Sequence, residues 1–341
     1  MNSPTSLSPD TTRILAGPSH LELAKSIANY TGIPLINTKL IQFANGETNV
    51  QITENIRNKR IIIVHACRTD SKYTLNDRLV ELMLMVDTCK RSAARCVYVM
   101  LPYFPYSRSD KKMASREPIA AKLMVDTLTN MGIKRVMCVD LHASQIQGFT
   151  DKPFDNFYAI NVLCHYFAKH FLIVEDDDET HRDYVLVSPD LGAVKRIEAY
   201  SKKLALPHAI MHKQRDYTKE NVVLKSILIG EKDAVKDKTC IVVDDMADTC
   251  GTVIAAVNTL VNEHGAKDVI IAVTHGILSG PAIDRINGCE NIKAVVVTNS
   301  LPLPEGALQK CPKLQVADLT PLLGEAILRI GDGRSISELF E

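Results

Sequence analysis

Seven short apolar runs, most of them closed by a polar cluster, constrain this chain more than any other feature. They are RIIIVHAC (60–67), RCVYVMLPY (95–103), KRVMCVDLH (134–142), DYVLVSPD (183–190), TCIVVDD (239–245), DVIIAVTHG (268–276) and KAVVVTN (293–299). Their apolar residues are continuous rather than alternating, which suits parallel strands buried on both faces. Helical periodicity fills the gaps, as over 76–92, 120–132 and 251–265. Strand, helix and strand repeated in this way predict an α/β fold with right-handed crossovers.

A chain of 341 residues is longer than one ordinary core, so two domains are expected, with a boundary near 151–160. In open α/β sheets, ligands bind outside the carboxyl ends of the strands. Polar clusters of that kind fall in both halves, which predicts two similar sheets and a loose internal duplication without a residue-level repeat. The charged insert EDDDETHRD (175–183) reads as a solvated surface loop.

Lys+Arg and Asp+Glu each number 40, so the formal charge is zero. That balance argues against a broad nucleic-acid surface and leaves room for a local basic pocket. Nine cysteines are scattered without a C-x-x-C pair, the pattern of reduced thiols in a cytoplasmic protein. No apolar run is long enough to span a bilayer, so no membrane partner is expected. Residues 1–12, rich in Ser, Thr and Pro, read as a disordered tail without a secretory signal.

The stretch CIVVDDMADTCGT (240–252) makes the sharpest chemical demand. Asp244 and Asp245 close a buried strand. Adjacent carboxylates repel and are costly to desolvate, so a cation or a hydroxyl-rich group is expected beside them. Thr249, Gly251 and Thr252 then offer hydroxyls and backbone N–H groups at a helix start, a geometry suited to a phosphate. Helix capping by Asp248 or Thr249 explains one of those residues and not two strand-end acids. A ribose phosphate satisfies both halves of the loop, and a divalent cation can bridge carboxylate and phosphate oxygens.

VVDDMADTCGT resembles the phosphoribosyl pyrophosphate loop of type I phosphoribosyltransferases, in the form used by ribose-phosphate diphosphokinases (phosphoribosyl pyrophosphate synthetases). FANGET (43–48), LPYFPYSRSDKK (101–112), DLHASQIQGF (140–149), VSPDLGAVKR (187–196), HKQR (212–215), THGILSGPA (274–282) and DGRSISELF (332–340) extend the resemblance over nearly the whole chain after the tail. It implies two similar type I phosphoribosyltransferase-like domains, each a mostly parallel sheet flanked by helices. The first covers 13–158, with 314–341 packing back on it; the second covers 159–313 and carries the loop. It also implies transfer of the β,γ-diphosphoryl group of ATP to the C1 hydroxyl of D-ribose 5-phosphate, with Mg²⁺.

The same resemblance assigns roles. His142 and Asp190, each ending a strand, are implied Mg²⁺ ligands, and Asp140, Asp151 and Asp155 are further metal or capping candidates. Arg108 matches an ATP-phosphate arginine, with Ser109 and Asp110 beside it. Ser109 stands where the family usually has Gln, and its shorter side chain reaches less far. Phe43, Asn45 and Glu47 match residues that reach the adenine of a neighbouring subunit, where a phenyl ring can stack on a base. Lys213 and Arg215, alternate residues of an extended segment, face one side. They match the catalytic loop, with Lys213 on the migrating phosphoryl group and Arg215 on the transition state or the sugar. Asp244 and Asp245 are implied to hold ribose hydroxyls, and Asp248, Thr249, Cys250, Gly251 and Thr252 to cradle the 5-phosphate. Arg57, Arg116, Ser335 and Ser337 match a regulatory site for phosphate and ADP. Asn55, Met113, Ala114 and Glu117 depart from the usual residues there, which implies altered regulation.

Two other readings share parts of this pattern. A phosphoribosyltransferase has the loop but usually needs one such domain; the second α/β half, FANGET and HKQR favour the synthetase. A catalytically silent, synthetase-associated subunit would have lost the catalytic or metal residues. Retention of His142, Asp190, Lys213, Arg215 and Asp244 favours an active enzyme. Adenine recognition across subunits implies an oligomer, in the family commonly a hexamer built from dimers, formed alone or with paralogues.

Overall fold

A computed structural model of the chain describes residues 7–172, 183–215, 223–230 and 233–339. The chain divides into two compact units: Met1–Ala159 with Ser300–Pro302 and Asp318–Glu341, and Ile160–Asn299 with Leu303–Ala317.

In the first unit β1 (Thr12–Ala16), β2 (Leu35–Gln42), β3 (Thr48–Ile52), β4 (Arg60–Val64), β5 (Cys96–Met100), β6 (Arg135–Val139) and β7 (Phe154–Phe157) form one sheet in the order β3-β2-β1-β4-β5-β6-β7. Every pairing is parallel except the β2–β3 hairpin. Helices α1 (Leu21–Thr31), α2 (Leu75–Arg91) and α3 (Ala120–Asn130) lie between the strands. Ile61 and Ile63 share a core with Leu82, Met85 and Val86 of α2, while Ile62 and Val64 are buried as well. A strand covered on both faces is what a continuous apolar run demands.

The second unit opens with α4 (Ile160–His170) and β8 (Tyr184–Ser188), then α5 (Val194–Leu204), β9 (His208–Arg215) and β10 (Val223–Ile229). It continues through β11 (Thr239–Ala247), α6 (Gly251–Asn262), β12 (Asp268–Gly276), α7 (Ala282–Gly288), β13 (Ile292–Thr298), α8 (Ala307–Lys310) and β14 (Leu314–Ala317). Its sheet runs β10-β9-β8-β11-β12-β13-β14, again parallel but for the β9–β10 pair. The two sheets share one strand order, so β4 with α2 in the first unit corresponds to β11 with α6 in the second. The duplication is one of topology.

The last helix, α9 (Thr320–Asp332), returns to the first unit and packs on α1. Gly324 permits that contact, because a Cβ there would lie 2.3 Å from Tyr30 Cδ1.

Two boundaries differ from the sequence expectation. Residues 314–317 do not pack back on the first unit; they form β14, hydrogen-bonded to β13 at the edge of the second sheet. The return begins at Asp318, and Ser300–Pro302 also belongs to the first unit. Residues 7–12 of the expected tail over 1–12 are also placed differently. Leu7 is buried against Gly331, Ser8 and Thr11 close a turn, and Thr12 begins β1. One apolar residue in a Ser/Thr/Pro-rich stretch found a site that local composition does not reveal. Of the acidic insert, 175–182 lies outside the described residues.

Among the described residues no helix is long and apolar enough to cross a membrane. All nine cysteines are free, and eight are buried.

Candidate functional site

Strand β11 delivers Asp244 and Asp245 at its carboxyl end, and α6 starts after the short turn through Asp248, Thr249 and Cys250. The cation demanded by the acidic pair is Arg196, in the first turn of α5. Its Nη1 donates to Asp244 Oδ1 at 3.2 Å and lies 3.8 Å from Asp245 Oδ1. Asp244 Oδ1 also accepts from the Asp245 backbone N–H at 2.8 Å. Sequence reasoning did not assign Arg196. A signal existed: the first turn of a helix favours acids over cations, so an arginine there points to a tertiary carboxylate partner.

The turn is braced from the next crossover. Leu278 and Ser279 donate backbone N–H groups to the Ala247 and Asp248 carbonyls, at 3.0 and 3.1 Å. Arg285 of α7 donates to the Thr249 carbonyl at 2.8 Å. Cys250 sits in the left-handed region (φ 60°) as the residue before the helix, with a buried thiol that burial lifts to a pKa of about 11. It fills space and is no thiolate. The N-cap residue Cys250 makes no side-chain cap, no acid occupies the first turn of α6, and Gly251 and Thr252 are exposed at a helix start suited to an anion.

Burial raises the Asp244 pKa to about 7, helped by the adjacent Asp245 charge and opposed by Arg196. An unfolded Asp titrates near ~3.9. Folding therefore takes up a proton between those values, and this group erodes stability as pH rises from about 4 to about 7. Asp245→Asn removes the like charge. It is expected to stabilise the fold by roughly 1–2 kcal/mol at pH 8 and by less at pH 5, where Asp244 is already protonated. Chemical denaturation at both pH values measures this; an equal gain at each would contradict it.

The corresponding place in the first unit is filled by the chain itself. Helix α2 carries a capping box: Asp77 N–H donates to Thr74 Oγ1, and Thr74 N–H donates to the Asp77 carboxylate. Beyond β4, Arg78 donates to Glu81 Oε2 and Asp70 Oδ2, each at 2.6 Å, and stacks 4.3 Å from the Tyr73 ring centroid. Buried His65 is held neutral, its pKa lowered to about 3 mainly by burial. Its Nε2 donates to the Arg78 carbonyl and its Nδ1 accepts from Ser19 Oγ. Of two equivalent loops, one is capped and plugged by an ion pair and the other is open.

The remaining sites of the first unit include a hairpin turn and a groove that borders the start of α2. Phe43, Asn45 and Glu47 are exposed on the turn of the β2–β3 hairpin, closed by Phe43 N–H to the Glu47 carbonyl at 2.8 Å. A groove of about 430 Å³ is lined by Thr69, Thr74, Asn76, Tyr103, Tyr106 and Arg108, among others. Tyr106 ties this groove together by donating to Asn76 Oδ1 at 2.7 Å. Ser109 has a task of its own: its Oγ and carbonyl accept from Ala120 and Ala121 N–H at the start of α3. Asp110 accepts from Gln145 Nε2 at 2.8 Å.

Among the metal candidates, Asp140 (φ 41°) accepts from the Ala159 N–H, and Asp155 pairs with Arg135. His142 and Asp151 are exposed. Asp190 uses Oδ1 to cap Gly192 and Ala193 N–H, at 2.8 and 3.2 Å. Its Oδ2 accepts no hydrogen bond among the described residues, so an oxygen remains for a hard cation. No three His, Cys, Asp or Glu residues gather as a metal cluster among the described residues.

Lys213 and Arg215 fall in the last residues of β9, their backbones paired with Ser226 and Val223 of β10. Their side chains, and residues 216–222 that join the strands, lie outside the described residues. Arg57, Arg116, Ser335 and Ser337 are all exposed. Glu117 closes the turn beside Arg116 by accepting from the Met113 and Ala114 N–H groups, each at 2.9 Å.

Comparison with known proteins gives a consistent result. Residues 12–132 match the N-terminal domain of ribose phosphate pyrophosphokinase, and 226–341 match the phosphoribosyl synthetase-associated domain. The chain is 41% identical over 329 residues to ribose-phosphate pyrophosphokinase 3 of Saccharomyces cerevisiae, covering 96% of this chain and 97% of that one. It is 42% identical over 332 residues to ribose-phosphate pyrophosphokinase A of Dictyostelium discoideum, covering 97% and 98%. The crystal structure of phosphoribosylpyrophosphate synthetase from Mycobacterium smegmatis superposes with a TM-score of 0.82 at 38% identity, over 95% of this chain and 99% of that one.

Proposed function

Since this chain belongs to the ribose-phosphate pyrophosphokinase family, we propose that it converts ATP and ribose 5-phosphate to AMP and 5-phosphoribosyl 1-diphosphate. The observation that carries the reading is the β11–α6 loop, which puts two strand-end carboxylates beside an uncapped helix N-terminus. The C1 oxygen of the sugar bonds to the β-phosphorus as that phosphorus breaks from the α,β-bridging oxygen. AMP leaves with the electron pair, and the hydroxyl proton is released. Such a transfer asks the protein for an in-line pose and neutralised charge rather than covalent help.

The 5-phosphate sits on the amides of Gly251 and Thr252 and the hydroxyls of Thr249 and Thr252, with Asp248 and Cys250 shaping the turn. Asp244, supported by Asp245, receives ribose hydroxyls. Arg108, with Ser109 and Asp110, meets the ATP phosphates, and Lys213 and Arg215 neutralise the phosphoryl group in flight. Phe43, Asn45 and Glu47 serve the adenine of a neighbouring subunit, which requires an oligomer; a hexamer built from dimers fits this sharing. His142 and Asp190 would hold Mg²⁺, with Asp140, Asp151 and Asp155 in support; when bound, the ion would neutralise polyphosphate charge. Arg57, Arg116, Ser335 and Ser337 would form a regulatory anion site, and the working compartment would be the cytoplasm.

Purified protein given Mg-ATP is expected to release AMP only when ribose 5-phosphate is present. AMP measured with and without the sugar tests this directly. No AMP from folded, oligomeric protein would overturn the reading in favour of a silent associated subunit.

A further inference from the structure

Arg196 is a cation in contact with the acidic pair, and it comes from a segment 48 positions earlier in the chain. It stands six residues after Asp190, in the first turn of the helix that follows the β8 end. Strands β8 and β11 are hydrogen-bonded neighbours, so the guanidinium spans two adjacent strand ends. Two donors to Asp244, the Arg196 Nη1 and the Asp245 N–H, fall on the same oxygen, Oδ1, and the Asp245 carboxyl also hydrogen-bonds the Asp244 carboxyl. A carboxylate gripped twice on one oxygen is fixed in rotation, and its other oxygen is presented in one direction.

We propose that Arg196 is a positioning residue for sugar binding: by holding Oδ1 of Asp244 it leaves Oδ2 as the oxygen that receives the ribose hydroxyls. This rests on Asp244 being a sugar ligand, as proposed above. Arg196 itself need not touch the sugar; it acts through the geometry of a neighbour, with one nitrogen, Nη1, set between the two carboxylates.

Four proteins test this: wild type, Arg196→Met, Arg196→Lys and Asp244→Asn. For each, the KM values for ribose 5-phosphate and ATP are measured, together with the ribose 5-phosphate Kd by calorimetry, which does not depend on turnover. Arg196→Met is expected to raise KM and Kd for the sugar about tenfold or more, with the ATP KM within about twofold. Arg196→Lys, which keeps the charge on a shorter side chain, is expected to fall between wild type and Arg196→Met. Sugar values that stay at wild type in Arg196→Met, or that rise together with the ATP KM, would overturn the proposal. If Arg196→Met does not fold, a selective sugar effect in Arg196→Lys supports the proposal and its absence overturns it. Asp244→Asn separates the two levels. No change there removes the sugar-ligand reading and this proposal with it, whereas an Asp244→Asn defect with unaffected Arg196 variants removes this proposal alone.

Discussion

Arg78→Met is expected to cost about 3–5 kcal/mol of stability, the range for breaking a buried ion pair from one side. Side-chain exposure is 5% for Arg78 and 2% for Glu81, so neither has water to fall back on. Burial already raises the Glu81 pKa against the pull of Arg78. Among the described residues its Oε1 has no hydrogen-bond partner, and it crowds Gly17 so closely that a Cβ there would lie 2.1 Å from that oxygen. Without Arg78 the carboxyl would have to protonate or stay charged in an apolar pocket, and both cost stability. Asp70, at 38% exposure, can turn to solvent and adds little. The paired variant Arg78→Met/Glu81→Met is expected to recover most of the loss, since apolar residues of similar volume often replace a buried pair at little cost. Denaturant midpoints and slopes of wild type, single and paired variants give the answer. A single-variant loss below about 1 kcal/mol would mean that the pair is not buried in solution.

Lys213→Ala is expected to lower kcat for sugar-dependent AMP release by about a hundredfold to a thousandfold, with both KM values little changed. That is the usual consequence of removing one preorganised charge aimed at the transition state. An ammonium on the migrating phosphoryl group acts where charge shifts between ground and transition state, so kcat bears the loss. The backbone fits that duty. Lys213 and Arg215 are alternate residues of β9 where its ribbon with β10 comes to an end. A KM rise with unchanged kcat would move Lys213 from the reacting group to simple substrate binding.

Much of the fold was legible because the requirement is local. A run such as RIIIV has no polar face to turn to water, so it must be a strand covered on both sides, and β4 is one. The edge strands were harder. β3 has five residues with one buried, Val50, and pairs only with β2 around a turn, and β14 has only four residues, too short for periodicity to speak. The acidic pair of β11 and the phosphate-type turn after it were readable from composition and spacing, since two adjacent acids at a strand end need a partner whatever the fold.

The partner itself was not readable. Arg196 reaches Asp244 only because β8 and β11 are sheet neighbours, and sheet order is a long-range property that no window of sequence contains. The two halves have the same topology, each with a strand, a turn and a helix in the corresponding place. Tertiary structure separated them: α2 is capped by Thr74 and Asp77 and backed by the Arg78–Glu81 pair, whereas α6 has no side-chain cap. By itself the sequence determined where strands and helices form and that the β11 acids need a counterpart, because burial and charge are local demands. Which cation answers them, and which of two equivalent loops stays open, was decided by packing between segments far apart in the chain.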